Sequence, residues 1–273
     1  MSWLEAIVLG LVQGLTEFLP ISSSGHVRIV PAFFGWEDPG AAFTAVIQLG
    51  TMAAVLVYFR SDLWAIGRAW LDELRVPWRQ RSHEAKLGWF IVLGTIPISI
   101  FGLAFSDQIE SGARDLYLIG TALILFSFVM LAAEWVGNRS SHRELTEIDE
   151  RDGLFIGLAQ ALALIPGVSR SGATISAGLL RGFDRAAAAR YSFLLSVPAV
   201  VLSGLFELRD LGEGDGASAG ATVIATLMAF VSGYAAIAWL LRYLASHTLT
   251  IFVVYRIPLG ALVLVLAATG AIS

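Results

Sequence analysis

Six apolar runs, at 41–59, 87–105, 116–136, 190–207, 219–241 and 249–270, dominate this chain. Each is about the 20 residues that an α-helix needs to cross hydrocarbon. Inside a bilayer every backbone N–H and C=O must be satisfied by the protein itself, so each run is expected to be a spanning helix. The composition points the same way. Of 273 residues, 56% are hydrophobic and 15% charged, with a mean hydropathy of +0.73. A soluble domain is about 25% charged, and this much apolar sequence exceeds what one soluble core can bury.

Four other segments, roughly 3–19, 23–36, 153–165 and 171–182, are too short or too interrupted to span. They form two pairs, each broken by a Pro and a Ser/Gly cluster, at 20–25 and at 166–172. Non-helical backbone at membrane depth is tolerated only where protein or a water-filled cavity surrounds it, so each pair is expected to be a re-entrant helix hairpin. The pairs also resemble each other. Gly10, Leu11, Val12 and Gln13 recur as Gly157, Leu158, Ala159 and Gln160, and Ser22, Ser23, Ser24 and Gly25 recur as Ser169, Arg170, Ser171 and Gly172. Arg60 to Leu63 is matched by 208–211.

The expected fold is therefore an all-α polytopic membrane protein with six spanning helices and two re-entrant hairpins. Each repeat is one hairpin plus three crossings, so the second copy runs upside down, as in inverted-repeat membrane proteins whose broken helices meet near the midplane. The chain is read as a single membrane domain, with repeat 1 at about 1–136, a cytoplasmic linker at about 137–149 and repeat 2 at about 150–273.

Charge assigns sides. The 60–86 loop carries Arg60, Arg68, Arg75, Arg79, Arg81 and Lys86; the 137–152 loop carries Arg139, Arg143 and Arg151; the turn after the second hairpin carries Arg181, Arg185 and Arg190. The opposite loops, 106–115 and 208–218, carry only Arg114 and Arg209. The positive-inside rule makes the rich loops cytoplasmic. Both termini then lie outside; the first hairpin enters from the outer face and the second from the cytoplasm.

A net charge of −4 without a basic block excludes a nucleic-acid partner. The absence of cysteine excludes disulfides, thiolate metal sites and a Cys nucleophile. No basic n-region precedes the first apolar stretch and no small-residue cleavage site follows it, so that stretch is expected to remain in the mature protein.

It carries the first polar residues at membrane depth. Gln13 and Glu17, four apart, project from one helix face, and a carboxylate in a membrane segment marks a functional site by default. The bland alternative is that Glu17 is solvated near an interface or pairs with Arg28. After Pro20 come Ser22, Ser23, Ser24, Gly25 and His26. A serine can cap the following helix, Gly25 permits a close bend, and open N–H groups at a helix start cradle phosphate. A serine hydroxyl or His26 can attack phosphorus, or His26 can act as general acid/base. In the second hairpin Ser169, Arg170, Ser171, Gly172 and Thr174 repeat the pattern, with Arg170 supplying a permanent, bidentate phosphate ligand. Its bland role is to neutralise Glu17. The second copy has Leu164 in place of Glu17 and Ala173 in place of His26, so acid/base groups and cation are divided between the halves. Gln48 in a spanning helix lines the same cavity or only bonds across helices. Arg256 in the last run reads as structural, capping carbonyls.

The stretch Gln13 to His26 resembles the first signature of the undecaprenyl-diphosphate phosphatase family linked to bacitracin resistance, a Glu/Gln-x-x-x-Glu pair followed by a Ser-rich turn and His. Pro166 to Thr174 resembles its second signature, and Val46 to Gly50 also fits. The likeness spans nearly the whole chain. One departure is Gln13, where many members carry Glu, which leaves one carboxylate in the pair. The resemblance implies hydrolysis of undecaprenyl diphosphate to the monophosphate and phosphate, with Glu17, His26, Ser23 and Arg170 catalytic. Gln13, Ser22, Ser24, Gly25, Gln48, Ser169, Ser171, Gly172 and Thr174 are then the substrate-binding candidates. It implies a divalent cation, Mg2+ or Ca2+, at Glu17, a bacterial cytoplasmic (inner) membrane, and a site facing outward. Expected partners are the isoprenoid lipid diphosphate, membrane lipid and, as an open possibility, a second copy in a homodimer. Ser23, His26 and water remain alternative nucleophiles. A lipid-phosphate transporter or flippase is the rival reading, because broken inverted repeats also build transporters.

Overall fold

Every apolar run becomes a helix in the computed structural model, which describes residues 1–112, 114–140, 142–207 and 218–272. In chain order the helices are α1 (Trp3–Phe18), α2 (Ser23–Phe34), α3 (Gly40–Tyr58), α4 (Arg60–Asp72), α5 (His83–Ala104), α6 (Ser106–Gly112), α7 (Leu116–Gly137), α8 (Glu150–Ala161), α9 (Arg170–Leu180), α10 (Arg185–Glu207), α11 (Ala219–Leu244) and α12 (Thr250–Ala268). Side-chain caps set several starts: Ser2 and Asp149 form capping boxes with Glu5 and Asp152, and Ser82, Asp115 and Ser218 accept from first-turn amides.

Five helices, α5, α7, α10, α11 and α12, are long and apolar enough to cross a membrane. The sixth expected span, α3, meets the same test only together with α4, from which it is bent by 75°. The protein is thus an all-α, multi-pass membrane protein. The short helices α1, α2, α8 and α9 have 16, 12, 12 and 11 residues. A non-helical turn joins α1 to α2; a 3-10 turn, Leu162–Leu164, followed by a non-helical stretch through Pro166 and Gly167, joins α8 to α9.

Two segments expected to be loops contain helices. In 60–86, α4 buries Ile66 and lays Trp70 against Gly88 of α5, while Arg60, Trp64 and Arg68 stay outside. Its charged face hides it from a hydropathy reading, since only one stripe of the helix is apolar. In 106–115, α6 forms a short helix between two spans. The expected match between Arg60 to Leu63 and 208–211 lies outside the described residues.

Packing brings the halves together by exchange. α1 lies against α11, and α8 against α5; α3 packs on α11, and α10 on α5; α7 pairs with α12 and α3 with α10. Glycines allow the two hairpin helices this proximity. A Cβ on Gly10 would sit 2.2 Å from the Ala225 carbonyl oxygen, and one on Gly157 would sit 2.3 Å from the Gly94 Cα. Small residues at such crossings let backbones touch, which is how helices associate in lipid.

On the arginine-rich side, ion pairs fasten the elements. Arg143 grips the buried Asp152 with two N–H···O bonds of 3.2 and 2.7 Å, and Arg181 adds a third of 2.6 Å. Arg185 pairs with Glu134, whose second oxygen accepts from the Leu249 amide at 3.1 Å. Arg190 reaches Asp62 at 2.5 Å.

Candidate active site where the two hairpins meet

The two turns share one local geometry. Ser22 and Ser169 both adopt positive φ, 75° and 78°, a region that costs a non-glycine residue about 1–3 kcal/mol and that clusters at functional sites. Each serine caps its helix: Ser22 Oγ accepts from the Gly25 amide at 3.4 Å and Ser169 Oγ from the Gly172 amide at 3.2 Å. Each also meets the serine two residues on, Ser24 at 3.3 Å and Ser171 at 3.1 Å. Among the described residues nothing accepts from the amides of Ser23, Ser24, Arg170 or Ser171. Each helix start therefore presents two open N–H donors, as an anion cradle requires.

The functional groups converge across the halves. Glu17, near the end of α1, accepts at one carboxylate oxygen from Gln13 Nε2 at 3.1 Å and from Ser23 Oγ at 2.6 Å. Its other oxygen is paired with the Arg170 guanidinium from α9. The side chains are 7% and 16% exposed, so opposite charges neutralise each other where neither would be tolerated alone. Ser22, Gly25, His26, Ser169, Ser171, Gly172 and Thr174 are buried around them, Ser23 is half-buried, and Ser24 is exposed. The cluster therefore opens at Ser24. Thr174 turns away, bonding the Arg170 carbonyl at 2.9 Å and Ser192 Oγ at 2.5 Å. Gln48 is half-buried on α3; its backbone carbonyl accepts from Thr51 Oγ1 at 2.8 Å, and among the described residues nothing bonds to its side-chain amide.

Glu17 does not pair with Arg28, which lies 3.3 Å from Asp38; Asp38 also pairs with Arg114. Arg114, outside the spanning helices, has its pKa drawn down to about 10, first by burial and then by the charge of Arg28. The partners of His26 are the Ser22 carbonyl and the Tyr255 hydroxyl. The imidazole Nδ1 lies 2.7 Å from the Ser22 carbonyl oxygen and Nε2 lies 2.7 Å from the Tyr255 hydroxyl. With both nitrogens engaged, His26 does not reach the Ser23 hydroxyl, which donates to Glu17 instead.

Two residues of α12 complete the site. Tyr255 bonds His26 and stacks on it, with ring centroids 5.6 Å apart. Arg256, fully buried, donates from Nη1 to the Pro20 carbonyl at 3.1 Å, from Nη2 to the Gly167 carbonyl at 2.9 Å and from Nε to Ser127 Oγ at 3.1 Å. Capping of carbonyls by Arg256 is thus observed, and the carbonyls belong one to each hairpin turn. Tyr255 was not among the sequence candidates. Its only signal was a hydroxyl beside a charge in an apolar run.

A family model described as bacitracin resistance protein BacA matches residues 6–262. The chain is similar to an undecaprenyl-diphosphatase of Nocardioides sp., 56% identical over 272 residues, covering 99% of this chain and 98% of the relative. It is similar to an undecaprenyl-diphosphatase of Mycolicibacterium smegmatis, 54% identical over 277 residues, covering 100% and 99%. Against an undecaprenyl-diphosphatase of Thermobifida fusca it is 52% identical over 273 residues, covering 100% and 93%.

Proposed function

We propose that this chain, which belongs to the bacitracin resistance protein BacA family, hydrolyses undecaprenyl diphosphate to undecaprenyl phosphate and inorganic phosphate at the meeting point of its two hairpins. Relatives above 50% identity over essentially the whole chain are named for that activity. The transport alternative finds no support among those relatives and is not carried forward. The observation that carries the mechanism is the Ser23–Glu17–Arg170 cluster, in which a hydroxyl, a carboxylate and a cation from both halves touch.

In the resting arrangement Arg170 is held by Glu17. A diphosphate head group offers Arg170 a more highly charged partner, to which guanidinium binds bidentately. As Arg170 turns to the phosphate, Glu17 is released with the Ser23 hydroxyl still against its other oxygen. Ser23 Oγ then attacks the terminal phosphorus and its proton passes to Glu17. The bond from that phosphorus to the bridging oxygen breaks, and undecaprenyl phosphate leaves. Water attacks the resulting phosphoserine, Ser23 Oγ recovers its proton from Glu17, and inorganic phosphate departs. Arg170 and the open amides of the two helix starts stabilise the charge on the non-bridging oxygens, which is the main task in phosphoryl transfer.

A divalent cation fits this donor set in part. Among the described residues no group of three or more His, Cys, Asp or Glu comes together. Glu17 and the Ser23 hydroxyl are hard oxygen donors, and substrate oxygens would complete the shell, as is usual for Mg2+. When bound, the cation would supply further charge neutralisation at the phosphoryl oxygens.

The exchange of helix partners between the halves and the paired Ser22 and Ser169 turns support an inverted repeat. The arginine-rich faces of α4, the 137–149 linker and the start of α10 support a cytoplasmic side. The site then faces outward from the bacterial inner membrane, with the isoprenoid tail in lipid.

The test is phosphate release from undecaprenyl diphosphate by detergent-purified protein under titration with Mg2+ and Ca2+. Wild type should release phosphate, and acid quench should trap label on Ser23. Absence of release at every cation concentration would overturn the hydrolase reading. Label on His26, or none, would overturn the assignment of Ser23.

A further inference from the structure

The geometry points to Tyr255 as a positioning residue that sets the reactive turn through His26; this rests on the hydrolase reading above. The Ser22 carbonyl is purely an acceptor, so His26 Nδ1, at 2.7 Å, must carry the hydrogen. In the neutral imidazole Nε2 then bears a lone pair, and the Tyr255 hydroxyl, also at 2.7 Å, donates to it. The near-parallel stack, with 15° between ring planes, fixes the orientation of the imidazole. The Ser22 carbonyl thus sets the tautomer, and the Tyr255 hydroxyl holds the ring that aims Nδ1–H at it.

The consequence runs down the chain. The Ser22 carbonyl accepts twice from His26, from Nδ1 and from the backbone amide at 3.2 Å. Ser22 sits at φ 75° and ψ 99°. Ser169 holds nearly the same conformation, φ 78° and ψ 120°, with only the Ala173 amide on its carbonyl at 2.9 Å, so at Ser22 the imidazole adds a second bond that fastens the turn. Ser23 follows directly, and its hydroxyl lands 2.6 Å from Glu17 only because the turn has that shape. Arg256, next to Tyr255, grips the Pro20 carbonyl at the start of the same turn. Consecutive residues of α12 therefore hold the reactive turn at both ends. Loss of the phenolic hydroxyl leaves Nε2 without its donor and the ring without its anchor, so the Nδ1–H bond to Ser22 weakens and the turn is held less closely against Glu17.

The experiment compares wild type, Tyr255→Phe, His26→Ala and the double variant for phosphate release from undecaprenyl diphosphate. In parallel, 15N NMR reads the imidazole nitrogens of wild type and Tyr255→Phe, with His26→Ala assigning the signal. Tyr255→Phe keeps the ring and its stack. Its kcat should fall about 10- to 100-fold with KM within about two-fold, as expected for misplaced groups rather than lost binding. In the His26→Ala background the same change should have no further effect. The His26 signal should be that of the Nδ1–H form in both proteins, and the Nε2 resonance should move in Tyr255→Phe as the hydrogen bond it accepts is lost. An unchanged kcat, a raised KM at constant kcat, losses that multiply in the double variant, or an unchanged Nε2 resonance would each overturn the proposal. If wild type itself releases no phosphate, the hydrolase reading falls, and the NMR comparison still decides whether Tyr255 holds His26.

Discussion

Replacing Arg256 with Met removes a side chain that hydrogen-bonds both hairpin turns. Met fills much of the same volume but donates nothing. The Pro20 and Gly167 carbonyls and the Ser127 hydroxyl, bonded at 3.1, 2.9 and 3.1 Å, lose their donor in a region closed to water. A buried acceptor left unsatisfied costs about 1–3 kcal/mol, so the two carbonyls alone set a cost of about 2–6 kcal/mol. Interhelical hydrogen bonds in membranes average lower, about 0.6 kcal/mol, which puts three of them near 2 kcal/mol. Part of the cost is offset because a buried guanidinium no longer has to be desolvated. The expected net loss is about 2–4 kcal/mol of stability, together with a larger loss of turnover, because the turns that carry Ser23 and Arg170 drift apart. Arg256→Lys keeps the charge but brings one compact donor group to three acceptors, so it should recover less than half of either loss. The assay is thermal unfolding of the detergent-purified protein alongside phosphate release. An Arg256→Met protein with the wild-type midpoint and wild-type kcat would refute the argument that Arg256 joins the turns.

Glu17→Gln and Arg170→Ala should each lower turnover about 10²- to 10⁴-fold, the range of a lost acid/base or charge-stabilising group, read as initial rates of phosphate release. Arg170→Ala also leaves a buried carboxylate unpaired, at a cost of about 3–5 kcal/mol, so its unfolding midpoint should drop and should recover in the Glu17→Gln, Arg170→Ala double variant. Gly157→Ala drives a Cβ to 2.3 Å from the Gly94 Cα and should destabilise by about 1–3 kcal/mol, whereas Gly67→Ala in α4, with open space around it, should be neutral or stabilise by up to about 1 kcal/mol; thermal midpoints separate the two. Because the chain has no cysteine of its own, Arg75→Cys gives a single label site, expected to resist impermeant thiol reagents in intact cells and to react once the membrane is opened.

Much of this architecture is legible in sequence because the bilayer imposes it. A spanning helix needs a fixed length of apolar residues, and Pro20 and Pro166 with their following serines break helices in a way nothing else in the chain does. Glu17 and Arg170 stand out because charge is scarce at membrane depth. α4 is hidden, since an interfacial helix with one apolar stripe has the average hydropathy of a loop. The division of labour around His26 is hidden too. Its partner Tyr255 is 229 residues away, on a helix face that no spacing rule connects to a hairpin turn, and a tyrosine in an apolar run has ordinary explanations. His26 thus has two partners, the Ser22 carbonyl and the Tyr255 hydroxyl, of which only the first lies within its own motif.

The Glu17–Arg170 pair also has a consequence in time. The partners are 153 residues apart in the chain. At a synthesis rate of about 5–20 residues per second, the carboxylate is made about 8–30 s before its counter-charge exists. During that interval α1 has neither Arg170 nor its packing surface on α11, and it carries a lone acid that lipid will not accept. A newborn chain must keep its first hairpin in the translocation machinery or at the membrane surface until the second arrives. Catalytic competence waits longer still, for α12, whose Tyr255 and Arg256 hold the turns.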